Sequence, residues 1–234
     1  MSRSALAVFP ALIALAALGG EKPAEAPVAG NGLPKPKPEP PKEQKLEPGT
    51  YAHVKTAKGE IVVRLLADKA PKTVANFVEL AKGERPWKDK DGRWVAKPFY
   101  NGLTFHRIEN GVLKLILGGC PKGDGTGGPG YKFEDELGDD LKFDKPGRVA
   151  MENSGPNTNG SQFFITLDAA PSLDKRYSIF GEVVRGLDVA EAISKMPAEA
   201  RGTGDDAVHV AKEPVAIQTV EIKELKAEEK PQAK

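Results

Sequence analysis

Residues Met151 to Ile165 constrain this chain more than any other stretch, because MENSGPNTNGSQ has to turn and FFI, directly after it, has to lie in a strand. Asn, Gly, Ser and Pro supply the backbone shapes that turns require, whereas two phenylalanines before an isoleucine are material for a buried strand. Along a strand, successive side chains point to opposite faces. Phe163 and Phe164 therefore occupy different environments: with Phe163 in a core, Phe164 lies on the other face together with Gln162.

The remaining pattern is strands with two helices. Tyr51 to Thr56 and Glu60 to Leu65 flank Lys58-Gly59 and read as a first hairpin. Pro71 suits the first turn of a helix that carries Val74, Phe77, Val78 and Ala81 on one face and that Gly83 ends. Apolar runs near Val112 to Leu117, Gly147 to Met151, Phe163 to Thr166 and Ser178 to Val184 supply further strands. Asp188 opens a second short helix with Val189, Ile193 and Met196 on one face, Pro197 stops it, and Val215 to Ile222 forms a last strand. Many strands with two helices imply a mainly β fold, a barrel capped at its ends. Between Gly83 and Pro98 a charged loop or hairpin carries Trp87 and Trp94, which either recognise a partner or pin the loop to its own domain.

Composition removes several classes of function. With 34 basic against 33 acidic residues and a net charge of +1, nothing favours a polyanion, and nucleic acid is not an expected partner. Cys120 is alone, which excludes an internal disulfide, and His53, His106 and His209 have no metal-ligand spacing. Ser161 lacks the Gly-x-Ser-x-Gly surroundings of a nucleophile elbow. The loop Gly125-Thr126-Gly127-Gly128 lacks the Lys-Ser/Thr that follows a phosphate-binding loop, so it reads as structural.

The N-terminal region decides the expected compartment. Arg3 precedes a 14-residue apolar run, Ala5 to Leu18, followed by Gly19-Gly20 and then charged, Pro-rich sequence, which is the layout of an export signal. A membrane span needs about 20 apolar residues, so cleavage leaving no stable span is expected. No cysteine follows the run, and Gly20 stands where a lipid-bearing one would be. From Glu21 to Pro48 there are eight prolines, five Lys and five Glu, too little apolar surface to offset ordering entropy. The expected organisation is a signal peptide at 1–19, a disordered linker at 20–48, a folded domain at 49–225 and a charged tail at 226–234. The expected location is periplasmic or secreted, and the expected state is a monomer.

Three blocks in this order carry a resemblance. Leu103-Thr104-Phe105-His106-Arg107-Ile108 reads as a strand bearing a fixed cation, Gly118-Gly119-Cys120-Pro121 leads into the glycine-rich loop, and Met151 to Ile165 follows. Together they resemble the cyclophilin-type peptidyl-prolyl cis-trans isomerases, over Gly49 to Leu225. The resemblance implies a closed eight-stranded β-barrel with a helix over each mouth. It also implies an X-Pro isomerase that acts on proline-containing polypeptides and uses no cofactor.

Rotating a prolyl amide breaks its partial double-bond character, and the uncatalysed event takes tens to hundreds of seconds. In the twisted state the prolyl nitrogen regains a lone pair, so a donor aimed at it stabilises that state over the planar one. Arg107, always charged and carrying several donors in a rigid fork, suits this catalytic role. Phe164 is the floor of the prolyl socket, and Gln162 beside it either hydrogen-bonds the substrate or orients Arg107. By motif match Asn153 presents its backbone to the peptide, Glu152 lines the groove, and Leu173 and Tyr177 form the far wall. His106 reads as a packed, hydrogen-bonded residue.

Two departures from the family pattern stand out. The segment between Arg107 and Gly118 is about two residues long, and the glutamine expected before Gly-Gly is absent. Counting back from Gly118, Leu117 takes the glutamine position and Lys114 and Leu115 the apolar pair; counting forward from Arg107, Val112 and Leu113 take that pair. If Leu117 replaces a side chain that would hold Arg107, the lost hydrogen bond to a charged group lowers the rate about ten- to hundredfold. Leu117→Gln is then expected to raise it. A chaperone or scaffold that grips proline segments without turnover is the alternative reading. Ser172 and Tyr177 stand where many eukaryotic members have Trp and His, which implies weak binding of cyclosporin.

Overall fold

The structure, a computed structural model, describes residues 46–202 and 207–226. The expected export signal, most of the linker and nearly all of the tail lie outside the described residues. In chain order the elements are β1 (Gly49–Thr56), β2 (Gly59–Leu65), α1 (Pro71–Lys82), β3 (Trp87–Lys88), β4 (Trp94–Val95), β5 (Thr104–Asn110), β6 (Lys114–Gly118), β7 (Arg148–Met151), β8 (Phe163–Thr166), β9 (Ile179–Arg185), α2 (Leu187–Ser194), β10 (Ala198–Arg201) and β11 (Val208–Leu225). Eight of the strands follow the order β1-β2-β9-β7-β8-β6-β5-β11, and β1 pairs back onto β11 to close the barrel. Every pairing is antiparallel.

Alternation along the strands fills the barrel with side chains. Val54, Ile61, Val63, Phe105, Ile116, Val149, Phe163, Ile165 and Phe180 join one buried cluster with residues of both helices. Helix α1 begins at Pro71 and stops at Gly83, whose φ of 80° is left-handed and comfortable only for glycine. Its Phe77 sits among the rings of Tyr100, Phe163 and Phe180 at 4.8, 5.6 and 5.1 Å. Helix α2 contributes Ala190 and Ile193. The mainly β barrel with two helices agrees with the architecture expected from the sequence.

Several boundaries differ from the expected ones, each for a local reason. Strand β6 begins at Lys114 because Asn110 pairs with Lys114, leaving Gly111, Val112 and Leu113 to make the turn. Helix α2 ends at Ser194, short of Met196, and Gly186 caps its start with a φ of 84°. The last strand starts at Val208, because Val208 to Ala211 pair with β10, and Val210 among them also pairs with Arg107 of β5. Strands β3 and β4 form a small hairpin in the tryptophan loop. Trp87 pins it, packing on Phe99 at 4.9 Å and donating Nε1–H to the Lys97 carbonyl at 2.9 Å. Trp94 stays 55 % exposed.

The turn-rich loop before β8 is fastened at several points. Asp135 N–H donates to Asn157 Oδ1 and Asn157 N–H to Asp135 Oδ2, at 2.9 and 2.8 Å, while buried Asn159 donates to Asp135 Oδ1 at 2.7 Å. Ser161 is buried and donates to the Gly119 carbonyl at 2.9 Å. A Cβ on Gly119 would lie 2.5 Å from the Ser161 carbonyl oxygen, so a glycine is required there.

Candidate active site

The cross-strand register builds the site on the outside of the barrel. Arg107 on β5 lies opposite Leu117 on β6, Leu117 opposite Phe164 on β8, and Phe164 opposite Ala150 on β7. Directly opposed residues share a face, and strands sit about 4.8 Å apart, which puts Arg107 and Phe164 roughly 10 Å apart across the row. Gln162 and Glu152 extend it beyond the strand ends, where Glu152 N–H donates to the Gln162 carbonyl at 2.9 Å. Phe163 points inward and Phe164 outward, into a second buried cluster with Leu115, Leu117, Phe143, Ala150 and Leu173.

This register resolves the segment after Arg107. Leu117 faces Arg107, as the count back from Gly118 has it, and Leu113, Leu115 and Leu117 share the outer face. Val112 is 98 % exposed at the hairpin tip and cannot line the socket. Lys114 turns away and pairs with Asp168 at 3.2 Å. Antiparallel hairpins accept added residues at the tip without moving the register below it, which is why the longer segment leaves Leu117 in place.

Phe164 is 1 % exposed. Phe143 stacks on it at 5.8 Å and Tyr177 meets it edge-on at 5.3 Å. Phe143 is fully buried and Tyr177 only partly so. Phe143 escaped the sequence reading; its only signal is an aromatic residue in the charged run Leu141 to Lys145.

The polar groups divide their tasks. Arg107 is partly exposed and donates Nε–H to Glu109 Oε1 at 2.7 Å; among the described residues its Nη groups make no hydrogen bond. Gln162 donates from Nε2 to the Gly125 and Gly127 carbonyls, both at 2.8 Å, and so ties the glycine-rich loop to the start of β8 instead of holding Arg107. That loop is braced internally by Asp124, which accepts from Thr126 N–H and Oγ1–H at 2.8 and 2.7 Å. Asn153 uses its side chain on the Arg176 carbonyl and the Gly155 N–H, at 3.0 and 3.1 Å. Among the described residues its main chain makes no backbone–backbone hydrogen bond. Glu152 reaches solvent in part, yet burial pushes its carboxyl up to about 7, with Arg107 pulling the other way. Burial, then Glu152, raises the Tyr177 hydroxyl. His106 is buried, as the packed reading has it; burial holds the imidazole below its ordinary range while a backbone hydrogen bond to Thr104 acts the other way, and among the described residues its Nδ1 has no partner. Leu173 lies in a short 3-10 turn, Pro171–Leu173, buried against Phe164's cluster, with Ser172 exposed beside it.

A cleft of about 540 Å³ opens elsewhere, lined by Arg64, Asp68, Lys69, Asp140, Arg148 and Glu182 among others. Its charges largely satisfy one another, as in Lys69–Asp140 at 2.5 Å and Arg148–Glu182 at 3.1 Å, and it holds none of the residues above. Size alone does not identify a site without chemistry in it.

The family model for the cyclophilin type peptidyl-prolyl cis-trans isomerase/CLD matches residues 51–222. The chain belongs to that family. The cyclophilin domain is 45 % identical over 174 residues to the probable peptidyl-prolyl cis-trans isomerase A of Mycobacterium bovis, covering 73 % of this chain and 91 % of the relative. It is 48 % identical over 154 residues to isomerase B of Streptomyces anulatus, covering 64 % of this chain and 87 % of the relative. A crystal structure of a cyclophilin type isomerase from Cryptosporidium parvum superposes with a TM-score of 0.62 at 28 % identity, covering 76 % of this chain and 99 % of that one. A second structure of that protein, determined in the presence of the dipeptide Ala-Pro, gives 0.55 at 29 % identity over 71 % of this chain and 98 % of that one. The chain is a peptidyl-prolyl cis-trans isomerase that acts on proline-containing peptides. No metal-binding cluster of His, Cys, Asp or Glu occurs among the described residues, and none of their helices is long and apolar enough to cross a membrane.

Proposed function

We propose that isomerisation takes place on the outer-face row, with Arg107 as the catalytic residue and Phe164 under the prolyl ring. The observation that carries this is the row Arg107–Leu117–Phe164, which aligns a cation, itself held through Nε by Glu109, with an apolar floor on one face of the sheet. The ring enters between Leu115, Leu117 and Leu173 as Tyr177 swings aside. The main chain of Asn153 pairs with the extended peptide, and Glu152 borders the same groove. As the amide twists, its nitrogen pyramidalises and its lone pair accepts from an Nη–H of Arg107. That bond is absent in the planar ground state, so it lowers the barrier instead of merely tightening binding. No covalent step or proton transfer is needed. The Ala-Pro dipeptide named with the Cryptosporidium structure is the type of ligand this groove would take.

We place the reaction outside the cytoplasm, in the periplasm or after secretion, on folding polypeptides met by a monomer at the end of a Pro-rich linker. The apolar run Ala5 to Leu18 and the composition that follows it support this reading. Mass spectrometry of the mature protein tests it: a start near Gly20 is expected, and an intact Met1 after passage to the cell envelope would contradict it. The catalytic reading is tested by a coupled assay on an X-Pro tetrapeptide comparing the native chain with Arg107→Ala. A large loss in the variant is expected. Equal rates with retained peptide binding would leave a gripping module in place of a catalyst by this residue.

A further inference from the structure

Arg107 can meet a prolyl nitrogen only if its fork is held in one orientation, and Leu117, the residue opposite it, has no group to hold it with. Glu109 does. Residues i and i+2 of a strand share a face, and Glu109 Oε1 accepts Arg107 Nε–H at 2.7 Å. The same carboxylate accepts His209 N–H on Oε1 at 3.1 Å and approaches His209 Nδ1 through Oε2 at 2.8 Å. Glu109 is buried, and a buried carboxylate that receives bonds from two different strands has little freedom to move. It grips Arg107 by Nε, the inner edge of the guanidinium, which leaves the Nη donors for the substrate.

We propose that Glu109 is the positioning residue for Arg107, itself clamped by His209, and that it takes over the hold that Leu117 cannot give. The proposal rests on the reading of Arg107 as catalytic. It also gives a purpose to the long first half of β11. Val210 pairs with Arg107, and His209 pairs with Ala200 of β10, so the β10–β11 hairpin delivers the clamp to the far side of Glu109 from the groove. A carboxylate that only balanced charge would need neither this second strand nor the Nε geometry.

A double-mutant cycle in the full chain tests it, using kcat and KM on an X-Pro tetrapeptide and a thermal midpoint to confirm folding. Glu109→Ala is expected to lower kcat about ten- to hundredfold while KM changes far less, because a held donor matters chiefly in the twisted state. Leu117→Gln should restore much of that loss in the Glu109→Ala background, and its gain there should exceed its gain in the native chain several-fold. If Glu109→Ala does not fold, Glu109→Gln replaces it, with the Arg107 Nε–H resonance followed by NMR. That proton should exchange with solvent markedly faster in the variant. An unchanged kcat in folded Glu109→Ala, equal gains from Leu117→Gln in both backgrounds, or an unmoved Nε–H would overturn the proposal while leaving native turnover intact. A native rate no higher than that of Arg107→Ala would overturn the catalytic reading, and this proposal with it.

Discussion

The groove has two walls, β7–β8 and β5–β6, and they solve the same problem differently. The β7–β8 wall is rigidified from outside: Asp135, Asn157 and Asn159 lace its entry loop, and Gln162 binds the glycine-rich loop to it. The β5–β6 wall is held by one carboxylate, Glu109, which grips Arg107 on its own strand and is bonded in turn by His209 of β11, while the tip projects freely at Val112. Cross-strand register is thus the shared constraint, and the means of holding a polar side chain is exchangeable. A hairpin can lengthen at its tip, where each extra residue adds little loop-closure entropy, and still present the same face below.

The largest effects should come from the apolar spine between the walls. Phe163→Ala and Phe164→Ala should each destabilise the fold by about 3–5 kcal/mol, measured by denaturant titration, since both rings are buried. The milder Phe163→Leu and Phe164→Leu then separate inside from outside: only the second should lower kcat/KM, and equal losses would break the two-face account. Leu115→Ala should cost about 2–5 kcal/mol, whereas Val112→Ala should change stability and rate by no more than about 0.5 kcal/mol. A large Val112 effect would restore the other register.

Next comes Glu152. Its folded pKa of about 7 lies above the ordinary 4.5, so the fold favours the protonated form. Its contribution is fully present below about pH 4.5 and is lost as pH rises through 7. Glu152→Gln should therefore match the native chain near pH 4 and be more stable at pH 8, by about 2 kcal/mol. Thermal melts at the two pH values check this, and a variant no more stable at pH 8 would contradict it. Smaller again is the effect expected of Gln162→Ala, about 1–2 kcal/mol from two lost hydrogen bonds. Its signature is local: amide hydrogen exchange should accelerate over Gly123 to Gly128 and not in β5.

The barrel was legible because strand alternation and turn residues are local signals, and α1 announced itself through Pro71, its apolar face and Gly83. Phe163 and Phe164 told their two faces apart by alternation alone. The clamp on Arg107 was half-legible: Glu109 stands two residues on, where alternation places it on the same face. His209 lies 100 residues away, and only the pairing of β11 with β5 brings it there. Phe143 was hidden for a similar reason, since a loop residue joins a socket through tertiary packing that no periodicity records. The hairpin register was open in the sequence because two counts fitted equally, and it closed once Asn110 was seen to pair with Lys114.

On the mechanism proposed, Arg107 turns the bond over and does not merely help to hold it. Two-dimensional exchange NMR on an X-Pro peptide at equilibrium measures this without a coupling protease, and titration of the same peptide reports binding in parallel. Strong cis–trans exchange cross-peaks are expected with the native chain, and an exchange rate lower by about a hundredfold or more with Arg107→Ala at similar affinity. Equal exchange rates for the two proteins would contradict it.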